Sequence, residues 1–97
     1  MHDIVVERAG GRAIAHRSHV GVVASGNLEV LCEPAAGHRA RVTVRTTVDG
    51  FEAIWRAVLE RFLARHDVAA DFEINDFGAT PAMVTLRLEQ ALEAAGT

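Results

Sequence analysis

The chain has no lysine, no tyrosine and one cysteine, Cys32. A single cysteine excludes an internal disulfide and any cysteine-rich zinc site. All ten basic side chains are arginines, set against thirteen acids for a net charge of −3. A general nucleic-acid binder needs a basic surplus to displace phosphate counterions, so that role is not expected. No apolar run approaches a membrane span, and no membrane partner is expected. The start carries Asp3 and Glu7 where a secretory leader would have a basic flank and a longer apolar stretch. A cytoplasmic location is the expectation. Aromatic residues make up only 5%, so the core must be mostly Val, Leu, Ile and Ala.

What is present is an ordinary globular balance, 49% hydrophobic and 24% charged, over 97 residues. That length supports one core and reads as one domain, 1–97. It is too short for a nucleotide-binding domain plus a substrate domain. A module serving larger partners is therefore more plausible than a free-standing multistep enzyme. No repeat, low-complexity tract or linker interrupts it.

Ile4–Val6 and Ala13–His16 read as short strands on either side of a turn at Ala9-Gly10-Gly11. Val20, Val22 and Val23 form a β-branched run that ends at Ala24-Ser25-Gly26-Asn27. In the next strand Leu28, Val30 and Cys32 alternate with Glu29, Leu31 and Glu33. Pro34-Ala35-Ala36-Gly37 is turn chemistry. Arg39–Thr46 then alternates Ala40, Val42 and Val44 against Arg39, Arg41, Thr43 and Arg45. Paired as antiparallel neighbours, these two strands would set Glu29 and Glu33 on the face of Arg41 and Arg45. An arginine row can bind phosphate, but a solvated strand face is the simpler account.

Asp49 with Glu52 three residues later resembles a capping box. The helix over 51–65 puts Phe51, Ile54, Trp55, Val58, Leu59, Phe62 and Leu63 on one stripe. Such a stripe is read as core in preference to a ligand pocket lined by Trp55 and the phenylalanines. Asp71–Phe77 reads as a strand with Phe72, Ile74 and Asp76 on one face. Thr80 is poised as an N-cap with Pro81 at the first helical position. The segment 82–90 fits a strand by alternation and a helix by spacing, with the cap favouring a helix. The sum is α+β: a small antiparallel or mixed sheet covered by one long helix and a C-terminal helix.

No self-sufficient active site emerges. Ser25 lacks the Gly-x-Ser-x-Gly elbow, and nothing in the spacing makes His16 or His19 its base. Those histidines have no third ligand at metal spacing. Cys32 sits on the apolar side of its strand, as a buried small hydrophobe would. Asp76 is better placed to shape the turn before Gly78 than to act as an acid. No catalytic residue and no metal site are expected. Ser25 remains, a hydroxyl among small residues between two strong strands. Such a serine is open to a modifying transferase, and equally is ordinary turn chemistry.

The run Gly21-Val22-Val23-Ala24-Ser25-Gly26-Asn27-Leu28-Glu29-Val30-Leu31 resembles the prosthetic-group segment of the malonate decarboxylase acyl carrier (delta) subunits. A second similar stretch is Asn75-Asp76-Phe77-Gly78-Ala79-Thr80-Pro81, followed by Val84-Thr85-Leu86-Arg87-Leu88-Glu89-Gln90. Arg41-Val42-Thr43-Val44 and the Trp55 helix fall between them in the family's order. The resemblance runs from near Val20 to Gly96. The citrate lyase carrier subunit is similar more distantly. The four-helix carriers of fatty-acid synthesis differ, presenting Asp-Ser-Leu at a helix start.

The resemblance implies that Ser25 is the covalent attachment site of a 2'-(5''-phosphoribosyl)-3'-dephospho-CoA group, linked as a phosphodiester. It implies acetyl and malonyl thioesters on that arm, moved between a transferase subunit and a decarboxylase pair. A separate prosthetic-group transferase would load the arm. Asn27, Glu29 and the turn 76–81 become candidate partner contacts, although that turn could simply dock the last helix. A citrate-lyase-type carrier, or a non-catalytic interaction domain docking through Arg39, Arg41 and Arg45, are the competing readings.

Overall fold

The computed structural model describes residues 2–24, 26–47 and 49–96. Its strands are β1 (His2–Ala9), β2 (Arg12–Ala13), β3 (Ser18–Gly21), β4 (Asn27–Pro34), β5 (Arg39–Thr46) and β6 (Val68–Phe77). Helix α1 (Glu52–Arg65) joins β5 to β6, and α2 (Pro81–Ala94) follows β6. The strands form a six-stranded mixed sheet in the order β1-β5-β6-β4-β3, with β2 beside β6 off that path. β5 and β6 run parallel, so their connection must cross over the sheet, and α1 is that crossover.

Strand alternation sets the layers, because direct cross-strand partners share a face. One rung runs Ile4, Val44, Ile74, Val30, Val20 across five strands. The next runs Val6, Val42, Phe72, Cys32, Ser18. These rungs are the floor of the core, and both helices lie on it: α1 over β1, α2 over β3 and β4. Phe62 of α1 meets Phe72 edge-on, with ring centroids 5.8 Å apart. The opposite face is mostly charged and polar, interrupted by Val5 and Leu31.

Several expectations need correction. The strands of Leu28–Glu33 and Arg39–Thr46 are not neighbours, because β6 lies between them. Its inward side chains, from Val68 to Asp76, are buried. That makes it the best central strand in the chain. The acids and arginines do share the outer face, as the alternation implied, but Arg41 and Arg45 face Glu7 and Asp3 of β1 instead. β1 is longer than Ile4–Val6, and the second strand is only Arg12–Ala13. Ala15 and His16 instead give their backbone N–H groups to Ala95 O at the end of α2. β3 stops at Gly21, where its ladder with β4 ends, so Val22 and Val23 leave the sheet and are exposed. Strand propensity yields to available partners here.

Asp49 is not the N-cap of α1. The cap position is Phe51, which makes no side-chain cap bond. Thr80 does cap α2, its hydroxyl accepting from Met83 N at 3.2 Å, with Pro81 at the first position. The ambiguous segment 82–90 is helical throughout, burying Val84 and Leu88. Here the cap signal outweighs the alternation.

Phe72→Ala should cost about 3–5 kcal/mol, read as a fall in the urea midpoint at unchanged slope, because it empties the centre of the second rung. Burial pushes the Cys32 thiol up from 9.0 to about 12, with a Ser18 hydrogen bond opposing and Asp71 and Glu33 adding to the rise. The folded protein should therefore resist thiol reagents at pH 8 and react once unfolded. The unfolded chain loses the Cys32 proton first, so stability should fall as pH rises from 9.0 towards 12. Comparing urea melts of the protein and Cys32→Ala across that window checks the sign.

Candidate functional site

The third rung of the sheet ends in polar groups. Asp76 closes the core face of β6 at only 3% exposure, beside Thr46 and Leu28. A buried carboxylate must have its oxygens paired. Asp76 Oδ2 accepts from Thr46 Oγ1 at 3.0 Å, and Oδ1 accepts from Ala79 N at 2.9 Å. It therefore ties β5 to the turn between β6 and α2. That is the turn-shaping role read from the sequence.

This turn carries the small-residue tip between β3 and β4. Gly26 N donates to Phe77 O at 2.7 Å, and Asn27 pairs with Gly78 in an isolated bridge. Asn27 N donates to Ala24 O at 3.0 Å, and Leu28 N donates to Asn27 Oδ1 at 2.8 Å, so the tip is closed by its own backbone and the Asn27 side chain. Gly26 and Gly78 both have positive φ, 75° and 93°. A Cβ on Gly78 would stand 3.9 Å from the Gly26 backbone, whereas one on Gly26 would meet nothing within 4 Å. Positive φ, not lack of room, calls for glycine at both positions, and the outer side of Gly26 stays open. Ser25 lies outside the described residues; its neighbours Ala24 and Gly26 are both exposed.

From the same turn an open groove of about 360 Å³ runs between the helices. Phe51, Ile54, Trp55 and Val58 of the α1 end form one wall. Pro81 and Val84 form the other, with Asp76, Gly78 and Ala79 at the base. The stripe read as core is thus two rows. Trp55, Leu59, Phe62 and Leu63 are buried, while Phe51 and Ile54 are about half exposed at 46% and 48%. The signal was present: Phe51, Ile54 and Val58 recur at i, i+3 and i+7, about one residue's rotation from the buried row. Nothing in the sequence alone said what faced them.

Other candidates lie elsewhere. His16 Nε2 donates to Ala94 O at 2.7 Å, at the far end of α2 from Gly78. A helix of 14 residues is about 20 Å long, so His16 has no access to the tip. His19 Nε2 stands 3.1 Å from Glu29 Oε1 on the outer face, which engages both the other histidine and one candidate contact. Among the described residues no group of three His, Cys, Asp or Glu side chains converges on a metal. Arg41 and Arg45 lie 3.9 and 3.7 Å from Glu7 and Asp3, so the arginine row is largely countered.

The sequence profile of the malonate decarboxylase delta subunit (MdcD) matches residues 15–95. A malonate decarboxylase acyl carrier protein of Xanthomonas euvesicatoria pv. vesicatoria is 55% identical over 87 residues, covering 87% of this chain and 82% of that one. That of Pseudomonas aeruginosa is 46% identical, covering 99% and 98%. A chain in the crystal structure of a Pseudomonas malonate decarboxylase hetero-tetramer in complex with malonate superposes with a TM-score of 0.92. It is 39% identical, covering 99% of this chain and 100% of that chain. With the tip, the turn at Gly78 and both helices inside the matched span, the chain belongs to the malonate decarboxylase acyl carrier protein (delta subunit) family.

Proposed function

We propose that this chain is the non-catalytic carrier subunit of a cytoplasmic malonate decarboxylase, one acyl-carrier domain over 1–97 with Ser25 as its attachment residue. The group attached is a 2'-(5''-phosphoribosyl)-3'-dephospho-CoA arm, which supplies a terminal thiol for acetyl and malonyl thioesters. One observation carries the reading: Ala24 and Gly26 are exposed on a tip that the Gly26–Phe77 hydrogen bond pins to the sheet. A loading enzyme needs that combination of access and fixed position.

The surroundings fit a phosphodiester at position 25. The space beyond Gly26 is open, and the first turn of α2, three residues after Gly78, contains no acid to repel phosphate. Ala24 and Gly26 present little bulk to a loading enzyme. Asn27 holds the tip's shape through its contact with Leu28 N. The work of this chain is thus to hold one hydroxyl in place and present it to a prosthetic-group transferase. The transferase and decarboxylase subunits that exchange and decarboxylate the load are its proposed partners, meeting the tip in turn. A covalent tether keeps the load near each site at about millimolar effective concentration.

Co-expression with the prosthetic-group transferase should raise the intact mass by one phosphoribosyl-dephospho-CoA unit, and Ser25→Ala should show no gain. Ser25→Ala should also abolish malonate decarboxylation when recombined with the other subunits. A mass gain in Ser25→Ala overturns the site; full decarboxylation with it overturns the carrier role.

A further inference from the structure

We infer that the apolar groove beside Gly78 is a resting site for the uncharged thioester end of the arm, and that it rejects the carboxylated form. This inference rests on the carrier reading above. Its first support is continuity. Gly78 forms part of the groove's base, and the Gly26 backbone lies within 3.9 Å of where a Gly78 Cβ would stand. A group tethered next to Gly26 therefore begins beside the Gly78 end of the groove.

The second support is chemistry. The walls are Phe51, Ile54, Trp55, Val58, Pro81 and Val84, all apolar. Among the described residues Asp76 is the sole titratable lining group, and its two oxygens accept from Thr46 and Ala79. Among the described residues the groove thus has no side-chain cation to receive a carboxylate, and it holds one carboxylate that would repel another. An acetyl thioester leaves water for this lining at little cost, whereas a malonyl group must either lose its hydration or stay outside. About 360 Å³ is at the small end of ligand sites, enough for the thioester and a few methylenes but not for the nucleotide. A tether makes even a weak site competent. The consequence is a sorting step: the acetyl form is sheltered between cycles, and the malonyl form is left free to reach a partner.

Trp55 is the one tryptophan in the chain and forms part of the wall, so it reports occupancy directly. Arm-loaded protein is capped at the arm thiol with methyl methanethiosulfonate, giving an uncharged end, or with iodoacetate, giving a carboxylate. Cys32 is buried and does not compete. The uncharged cap should shift Trp55 emission to the blue relative to arm-free protein, and the carboxymethyl cap should not. Ile54 is half exposed, so Ile54→Asp places a charge in the groove without opening the core. It should still gain the arm's mass but lose the shift. The uncapped arm thiol should react with an aromatic disulfide about tenfold faster in Ile54→Asp, as expected if the arm rests there about nine-tenths of the time.

Equal emission with both caps, or equal thiol rates in the two proteins, overturns the inference while leaving the carrier role intact. A Trp55 response only on adding partner subunits overturns it too, and makes the groove a subunit contact. Absence of the arm's mass in the unmutated protein overturns the carrier reading itself.

Discussion

Asp76 has two oxygens and uses them to hold three segments of chain in one place. Thr46 at the end of β5 donates to one, Ala79 beyond the end of β6 donates to the other, and the residue itself is in β6. A carboxylate this buried is costly unless both contacts form, so the geometry of the turn is fixed by the cost of leaving either unmade. That turn places Gly78 against Gly26, and the Phe77 carbonyl takes the Gly26 N–H. The tip therefore inherits its position from the central strand. Exposure and rigidity normally oppose one another in a loop. Here the backbone is anchored from inside while the outer surface stays open.

The parts of the fold legible in sequence were those governed by local rules. Thr80 and Pro81 marked the start of α2, and alternation sorted Leu28, Val30 and Cys32 from Glu29, Leu31 and Glu33. What failed was strand adjacency. Arg41 and Arg45 match acids on either side equally well, so charge could not choose between β1 and β4 as their neighbour. The choice was made by β6, whose inward residues Val68, Ala70, Phe72 and Ile74 are all buried and so claim the centre of the sheet. Asp49 misled in a similar way. Its capping pattern was correct in spacing, but the helix begins at Glu52 itself, with Phe51 in the cap position. At the candidate site, residue types located both the tip and the turn at Gly78, and only the resemblance suggested that the two work together. The groove was invisible because it needs α1 and α2 side by side.

The two rows of α1 divide the labour of the helix. Leu59, Phe62 and Leu63 attach it to the sheet, and Arg65 reaches Glu89 across to α2 at 3.5 Å. The exposed ion pair contributes at most about 1 kcal/mol, so the buried row decides where the helix sits. Phe51 and Ile54 lie towards its start, where the helices leave the groove open. An apolar row that the fold leaves uncovered adds little to stability. Its position beside the turn at Gly78 suits the transient occupant proposed above.

The strength of such a site is bounded from both sides. At the millimolar effective concentration that the proposed tether would give, resting in the groove nine-tenths of the time requires an intrinsic Kd of about 0.1 mM, or about 5.5 kcal/mol. A deeper, fully enclosed cavity would hold the load too well to hand it on, and a flat surface would not hold it at all. A half-open apolar groove with no polar anchor sits between these limits, and a single added carboxylate is enough to reverse the balance.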